Sequence, residues 1–436
     1  MLYAEVAVDA PAGRSTYSYA VSDEVSLAVG QLVWVPFGTR TVRGIVVRLN
    51  RQPGHESTRP ILSVSPEARL TQFQVDLGQW IAAYYLSPQF SALSLFLPPG
   101  VERQSDTYVY RPGKSAPEEP GDLSERQRRL LQLVGRNQRA RLKDLEKSLG
   151  KTRTSRDVDS LVRRGLLARE DITRERSVGP RTDLFVSLSP GAEQYAGDVR
   201  DAVSPRASRQ REVLAHLRAC GEAVPSQELR DRYGTSREVI RALEDKGLVD
   251  VREERVWRNP LEAFSLRSDS VPVLTDAQRC AWDILEKGMR DGSFGEYLLF
   301  GVTGSGKTEL YLRATGHALS SGRSAVCLVP EIALASQTVE RFMSRFPDRV
   351  ILLHSGLSPG EQVDEWERVR RTDPCVVIGP RSALFAPVEN LGLIVLDEEH
   401  EWTYKQDDMS PRYHARTVAR EMAVRLGIPL VLGSAT

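Results

Sequence analysis

The run Gly301-Val302-Thr303-Gly304-Ser305-Gly306-Lys307-Thr308 has the residue types needed to hold a chain of phosphates. A glycine-rich turn leaves backbone N–H groups pointing inward, and a helix that follows adds a favourable potential for an anion. Gly304 and Gly306 allow positive φ and a close approach of backbone to ligand. Lys307 would reach the terminal phosphates and the Thr308 hydroxyl would hold Mg²⁺. Arg outnumbers Lys 51 to 8 in this chain, yet position 307 is Lys. A compact ammonium fits such a cradle where a planar guanidinium does not. Downstream, Leu393-Ile394-Val395-Leu396 ends in Asp397-Glu398-Glu399-His400. Carboxylates at a strand end beyond a phosphate cradle suit triphosphate hydrolysis, with Asp397 on Mg²⁺ through water and Glu398 polarising the attacking water. Alone, the four residues would be only a polar cluster at a strand end. Glu399 and His400, together with Ser434 and Thr436 of Gly433-Ser434-Ala435-Thr436, would couple this site to its neighbours. Lys307, Asp397 and Glu398 are the candidate catalytic residues.

These groups need a scaffold of strands that end in loops. Tyr297 to Phe300 reads as a buried strand and the periodic Leu310, Ala314 and Ala318 as a helix. Pro429 to Leu432 is another apolar strand, and the separations suit βα units. Residues 268–436 therefore predict an ATP-binding lobe with a parallel sheet and helices on both faces. Leu274-Thr275 with Gln278 precedes it. Gln278 can pair with the donor and acceptor edges of adenine, or Thr275 and Gln278 can form a helix cap. The ATP-binding set is Gln278, Gly301, Thr303, Gly304, Ser305, Gly306, Lys307 and Thr308, with Thr308 and Asp397 on the metal.

The middle of the chain repeats. Leu130, Leu131, Leu142, Leu145 and Leu149 precede Thr154-Ser155-Arg156-Asp157-Val158 and Arg164-Gly165-Leu166. Val213, Leu214, Leu217 and Leu229 precede Thr235-Ser236-Arg237-Glu238-Val239 and Lys246-Gly247-Leu248. Thr-Ser predicts a helix N-cap in each copy, and Gly165 and Gly247 predict C-caps leading to a short hairpin. Residues 121–180 and 205–259 thus read as winged-helix units. Leu123 to Arg176 holds 16 Lys and Arg against 8 Asp and Glu, whereas Pro260 to Thr436 holds 19 against 24. Arg153, Arg156 and Arg163 are placed to meet DNA phosphates. Winged helices also dock proteins, and that reading stands beside DNA contact for both units.

The first hundred residues alternate through Tyr3, Val6 and Val8, Leu32 to Val35 and Gly44 to Leu49. A helical stretch, Thr71 to Leu86 with Trp80, Tyr84 and Tyr85, follows. Residues 1–102 predict a small β-barrel capped by a helix, a form that presents aromatics to bases. Pro112 to Gly121 is a Pro/Glu/Gly-rich linker, and Ser177 to Pro180 and Ser265 to Pro272 are shorter ones. Net charge is +1 over 436 residues and hydrophobic residues make up 41%, enough to build several cores. No apolar run is long enough to span a bilayer, and the N-terminus lacks the pattern of a signal peptide. Cys220, Cys280, Cys327 and Cys375 are scattered without C-x-x-C spacing, so reduced thiols and a cytoplasmic location are expected.

The order of P-loop, D-E-x-H and S-A-T resembles the first motor lobe of superfamily 2 helicases. Val329-Pro330-Glu331-Ile332, His354-Ser355-Gly356-Leu357, Ile378 to Phe385, Tyr404-Lys405-Gln406 and Pro411-Arg412-Tyr413-His414-Ala415-Arg416 narrow it. With Val35-Pro36-Phe37-Gly38 near the N-terminus, they are similar to the PriA family of primosomal replication-restart helicases. The resemblance implies a multidomain α/β protein with a RecA-like P-loop lobe behind a β-barrel DNA-binding domain and winged-helix units. It implies a 3′ to 5′ DNA-dependent ATPase that recognises stalled forks. Its partners would be forked and single-stranded DNA, primosome proteins and the machinery that loads the replicative helicase, with no membrane.

Residue by residue, the resemblance places Tyr17, Ser18, Tyr19 and Gly38 at the pocket for a 3′ DNA end, although Tyr17 and Tyr19 equally suit an apolar core. Ser18 stands where the family commonly has Asp. Gln337, Arg381, Ser382, Trp402 and Tyr404 are candidates for sensing single-stranded DNA, and Tyr413 suits either that role or core packing. Pro380 and Ala335-Ser336 depart from the usual motor residues. The sequence stops at Thr436, whereas the family continues into a second motor lobe and a zinc module. No zinc is therefore expected in this chain. The chain alone is expected to hydrolyse almost no ATP, which leaves a non-motor scaffold for forked DNA as the alternative reading.

Overall fold

The computed structural model describes residues 2–10, 16–22, 26–38, 40–52, 58–99, 102–111, 123–136, 140–176, 182–193, 198–258, 260, 271–330 and 337–435. The predicted linkers 112–121 and 177–180, and most of 265–272, lie outside them, as does Thr436. Residues Gly100–Val178 form one compact unit, and Met1–Pro99 with Gly179–Thr436 the other. Among the described residues no helix is long and apolar enough to cross a membrane.

In the larger unit, strands β1 (Leu2–Val8), β2 (Tyr17–Val21), β3 (Gln31–Phe37), β4 (Arg40–Asn50), β5 (Arg59–Pro60) and β6 (Ser63–Arg69) make a curled sheet ordered β5-β2-β1-β4-β3-β6. One segment closes it: β5 pairs with β2, β6 pairs with β3, and between them Ile61 N–H meets the Ala20 carbonyl and Leu62 N–H the Trp34 carbonyl. The alternation read in the sequence puts Ala4, Val6, Val8, Val33, Val35 and Val46 into one core. Helices α1 (Gln72–Tyr84) and α2 (Gln89–Leu93) follow. Thr71 and Gln74 start α1 with a reciprocal capping box, and Val75, Leu77 and Ile81 are among its buried residues.

The smaller unit holds β7 (Glu102–Tyr110), α3 (Glu125–Arg136), β8 (Ala140–Arg141), α4 (Leu142–Leu149), α5 (Lys151–Arg163) and β9 (Ala168–Arg176). Its core gathers Leu130, Leu131, Leu145, Val158 and Leu161. Helix α5 begins four residues earlier than Thr154-Ser155 predicted. Gly150, at φ 89, is the N-cap, and the Thr154 hydroxyl instead donates to the Gly150 carbonyl from inside the helix at 2.7 Å. The sheet also differs from the expected hairpin: β9 pairs along its length with β7, which lies N-terminal to the predicted range.

The same plan recurs in the larger unit with β10 (Thr182–Leu188), α6 (Pro190–Glu193), α7 (Ser208–Cys220), β11 (Val224–Pro225), α8 (Ser226–Tyr233), α9 (Arg237–Glu244) and β12 (Val249–Arg255). Here Ser236 is the N-cap as read, although its side chain makes no capping bond. The closing strand β12 again pairs with the opening strand, β10. Gly165 and Gly247, at φ 71 and 67, end their helices in the left-handed conformation that favours glycine.

Beyond β12, Asp364 is fully buried and accepts from Arg255 at 3.0 Å and Arg258 at 2.8 Å. The Arg255 guanidinium lies 3.8 Å from the Trp257 ring centre. Two guanidinium partners supply the charge that a buried carboxylate requires, and they pin this winged unit to the lobe described next.

The lobe runs α10 (Asp276–Arg290), β13 (Gly295–Phe300), α11 (Lys307–Ser320), β14 (Ser324–Leu328), α12 (Gln337–Arg345), β15 (Val350–Leu352), α13 (Pro359–Arg371), β16 (Val376–Gly379), β17 (Leu391–Leu396), α14 (Ala415–Leu426) and β18 (Pro429–Ser434). Its sheet is wholly parallel, ordered β13-β18-β17-β14-β16-β15. Tyr311, Leu312, Cys327, Phe342, Val395 and Val431 lie in its core. The strand expected to be buried is so at alternate residues: β13 is the sheet's edge, and Leu298 and Phe300 stand exposed while Tyr297 and Leu299 pack inward. Only one face of that edge strand is covered, so its apolar run marked a strand but overstated its burial.

Candidate nucleotide site and nucleic-acid interface

A parallel sheet brings strand ends together on one side, where its ligands bind. Gly301 N–H donates to the Ser434 carbonyl, so the start of the phosphate loop lies beside the end of β18. Gly304 and Gly306 have φ of 82 and 86, and open space surrounds the place where a Cβ of residue 304 would stand. Helix α11 starts at Lys307 with no side chain capping it. An uncapped helix start behind such a loop fits a phosphate group. Lys307 Nζ donates to the Gly301 carbonyl at 2.7 Å and stands 3.7 Å from Glu398 Oε1. Thr308 follows in the first turn of the helix, and Thr303 and Ser305 are exposed in the loop.

Thr275 and Gln278 form the capping box of α10, as one of the two sequence readings had it. Gln278 does more than cap: its Nε2 donates to the Ser305 carbonyl at 2.8 Å, tying α10 to the phosphate loop.

Asp397 follows the end of β17 and is half-buried. Removal from water raises its pKa above the usual carboxylate value, a shift opposed by a 3.0 Å hydrogen bond from the Tyr311 hydroxyl and by the Lys307 charge. Glu398 has φ 47, a left-handed conformation that costs a non-glycine residue energy and persists where its surroundings fix it. They do so here. Asp397 N–H donates to the Leu328 carbonyl on one side and Glu399 N–H to the Gly433 carbonyl on the other. His400 Nδ1 lies 3.2 Å from the Ser434 hydroxyl, and Glu399 pairs with Arg416 at 2.6 Å. Three of the four coupling residues therefore meet partners across the ends of β17 and β18, while Thr436 lies outside the described residues.

The loop after this cluster sorts its aromatics by burial. Trp402 is 75% exposed, whereas Tyr404 and Tyr413 are each 1% exposed. Tyr404 donates to the Leu328 carbonyl at 3.0 Å and the Asp397 carbonyl at 2.6 Å, so it braces the site instead of offering a face to a base. Tyr413 is core, the second of its two sequence readings. Arg381 donates to the Thr403 carbonyl at 2.9 Å and the Lys405 carbonyl at 3.4 Å, which turns it onto the loop, while Ser382 is exposed. The side chain of Gln337 lies outside the described residues.

In the barrel, strand alternation separates residues that the sequence grouped. Tyr17 packs edge-on against Phe37 with ring centres 5.1 Å apart, and Tyr19 is buried with its hydroxyl donating to the Pro36 carbonyl. Gly38, at φ 60, closes this corner, and its carbonyl accepts from Arg59 at 2.8 Å. Ser18 sits on the opposite face, where its hydroxyl donates to Glu5. Glu5 in turn lines a cleft of about 320 Å³ with Arg48, Gln79 and Gln89. The four predicted residues are thus divided between two faces of one sheet.

In the smaller unit, Arg156 and Arg163 are exposed on α5, and the side chain of Arg153 lies outside the described residues. Asp157 is held by Arg126 at 3.0 Å and Asp159 by Arg169 at 2.8 Å, so arginines elsewhere in the unit engage both acids of this helix.

Sequence reasoning missed Tyr311 and Arg59. Tyr311 sits four residues after Lys307, one helical turn along, which was a usable signal. Arg59 carried none, because its partner is a backbone carbonyl in the turn after β3, far away in the chain.

Residues 5–98 match the family model of the PriA 3′ DNA-binding domain, and residues 275–436 match that of DEAD/DEAH box helicases. The replication restart protein PriA of Bacillus subtilis (strain 168) is 33% identical over 452 residues, covering 100% of this chain and 53% of that protein. Its counterpart in Synechocystis sp. is 33% identical over 453 residues, covering 100% and 52%. The PriA of Chlamydia pneumoniae is 42% identical over 201 residues, covering 46% and 27%. The chain spans about half the length of the first two relatives.

Proposed function

This chain belongs to the replication restart protein PriA family, and from that premise we propose that it carries the DNA-end-binding part and the first ATP-binding lobe of a replication-restart DNA helicase. The proposed activity is ATP-dependent 3′ to 5′ movement on DNA at stalled or abandoned forks, where the protein would begin primosome assembly. One observation carries the motor reading: Lys307, Asp397, Glu398 and the His400–Ser434 contact converge at neighbouring strand ends.

Gly301, Thr303, Gly304, Ser305, Gly306 and Lys307 would hold the phosphates, with Thr308 and Asp397 holding Mg²⁺. The bound nucleotide and metal supply a hydrolysable phosphoanhydride and positive charge beside it. The chain's own groups do the rest. Lys307 can exchange the Gly301 carbonyl for a phosphate oxygen, a stronger acceptor. Glu398 is positioned to orient and polarise a water, and Gln278 reports on the adenine side through its bond to the loop. Trp402 offers a stacking face for single-stranded DNA beside this turn. The barrel would take a 3′ end at the corner of Tyr17, Tyr19, Gly38 and Arg59, and Arg156 and Arg163 would grip duplex phosphates.

The test is a fork whose leading strand ends in either a 3′-hydroxyl or a 3′-phosphate. A hydroxyl can donate to a carbonyl such as that of Gly38, whereas a phosphate dianion cannot donate and crowds the corner. Tighter binding of the hydroxyl fork is expected. Equal affinity for the two forks would leave the barrel without its proposed role.

A further inference from the structure

Of two aromatic residues that follow the barrel strands, Tyr85 touches the loop that carries Trp402 directly and Phe96 reaches it through Phe385. Phe96, in the turn Ser94–Phe96, meets Phe385 edge-on with ring centres 5.1 Å apart, and Phe385 meets Tyr413 in the same way at 5.1 Å. Tyr85, at the end of α1, accepts a 3.1 Å hydrogen bond on its hydroxyl from His414 N–H. Its ring centre lies 5.5 Å from Lys405 Nζ. Lys405 and His414 bridge each other across the loop, and Gln406 N–H donates to the Tyr413 carbonyl at 2.9 Å. The Tyr85 contacts therefore fall at the base of one closed hairpin, and the Phe96–Phe385 pair ends beside it on Tyr413. The residue just before that hairpin is Tyr404, whose hydroxyl holds the Asp397 carbonyl.

The loop is tied within itself as well. Gln406 Nε2 donates to the Pro411 carbonyl at 3.0 Å, and Arg381 holds the carbonyls of Thr403 and Lys405. Such a segment shifts as a unit, because displacing one end strains the bonds at the other. Helix α1 buries Val75, Leu77 and Ile81. A displacement of that helix reaches Tyr85 without a flexible joint between them.

We propose that Tyr85 and Phe96 are positioning residues through which a 3′ DNA end on the barrel sets the placement of loop 402–414, and through Tyr404 that of the Asp397–Glu398 turn. The proposal rests on the reading of the barrel as a DNA-end module and of the lobe as an ATP site. Linkage makes it reciprocal: nucleotide in the lobe changes 3′-end affinity by the factor by which the 3′ end changes nucleotide affinity.

The experiment uses the whole chain, a short oligothymidylate with a 3′-hydroxyl, and a fluorescent ATP analogue. Analogue affinity is measured with and without the oligonucleotide, and amide exchange is followed over residues 402–414. In the unaltered protein the oligonucleotide should change analogue affinity by about fivefold, the low end of ordinary site-to-site coupling. Tyr85→Phe should bring that ratio to about one and speed exchange at the loop base about tenfold, the loss of one hydrogen bond. Each ligand's affinity measured alone should stay as it was, which loss of packing or folding would not allow. Phe96→Leu, which keeps an apolar side chain, should lower the ratio in the same direction. A ratio that both substitutions leave unchanged overturns the proposal, as does a ratio of one in the unaltered protein that binds the oligonucleotide. Failure to bind the oligonucleotide, read by anisotropy, overturns the barrel's role as well.

Discussion

The Tyr311 hydroxyl donates a 3.0 Å hydrogen bond to Asp397 Oδ1, joining the helix of the phosphate loop to the end of the strand that carries the acidic cluster. Room for this contact comes from Gly433, the first residue of G-S-A-T. A Cβ at 433 would lie 1.7 Å from the Tyr311 hydroxyl and 3.3 Å from Asp397 Oδ1. Three sequence motifs thus share one point, and the carboxylate there is half-buried.

Burial raises the Asp397 pKa, so the fold favours its protonated form. A group whose folded pKa lies above its unfolded value adds stability below the unfolded value and loses it as pH rises through the folded one. Metal-free chain should therefore lose thermal stability above the ordinary carboxylate range more steeply than Asp397→Asn does. Tyr311→Phe should cost about 1–3 kcal/mol at neutral pH by leaving the carboxylate with the Glu398 N–H but without the hydroxyl donor. That cost should shrink in acid. Thermal melts across pH decide it, and an equal cost at both ends of the range would assign Tyr311 to packing alone.

Lys307→Ala removes the ammonium at the cradle. Nucleotide affinity should fall by about 10–100-fold, as expected for a hydrogen bond to a charged group. Affinity for forked DNA should not change, because the groups proposed to grip DNA lie elsewhere. Titrations with a fluorescent nucleotide and with labelled fork DNA measure both. A parallel loss of DNA binding would mean that the two sites are not separate.

Trp402 and Tyr404 are two residues apart and should behave oppositely. Trp402→Ala should weaken single-stranded DNA binding by about 1–3 kcal/mol while leaving the melting temperature unchanged. Tyr404→Ala should destabilise the fold by about 3–5 kcal/mol, as large core truncations do. Urea unfolding and DNA anisotropy on both variants distinguish a stacking face from a brace.

Arg156→Ala with Arg163→Ala should weaken binding to all DNA sequences alike. The slope of log affinity against log salt should become shallower by about 0.9 for each phosphate that the variant no longer neutralises. A slope that stays the same would make the first winged unit a protein-docking module, the other reading of its sequence.

The sequence by itself determined much of this protein. The glycine-rich loop, the acidic cluster and the S-A-T run are local, and each pattern is carried by adjacent residues. The parallel lobe followed from apolar strands alternating with helical periods, and the winged units from two copies of one pattern of leucines, arginines and terminal glycine. What is local in the chain was legible because backbone preference and side-chain period act over a few residues.

Only the tertiary structure decided the rest. Which of Trp402, Tyr404 and Tyr413 meets solvent depends on the strands beneath that loop, and nothing in their spacing distinguishes them. Strand alternation parted Ser18 from Tyr17 and Tyr19, so that Ser18 meets Glu5 of the neighbouring β1 while Tyr17 meets Phe37 of β3. The Thr154-Ser155 cap moved because Gly150, four residues upstream, already started the helix. Tyr311 and Asp397 are 86 residues apart, and Tyr85 and His414 are 329 apart. Contacts of that kind arise when separate elements bury their apolar faces together, and no local pattern in the chain records them.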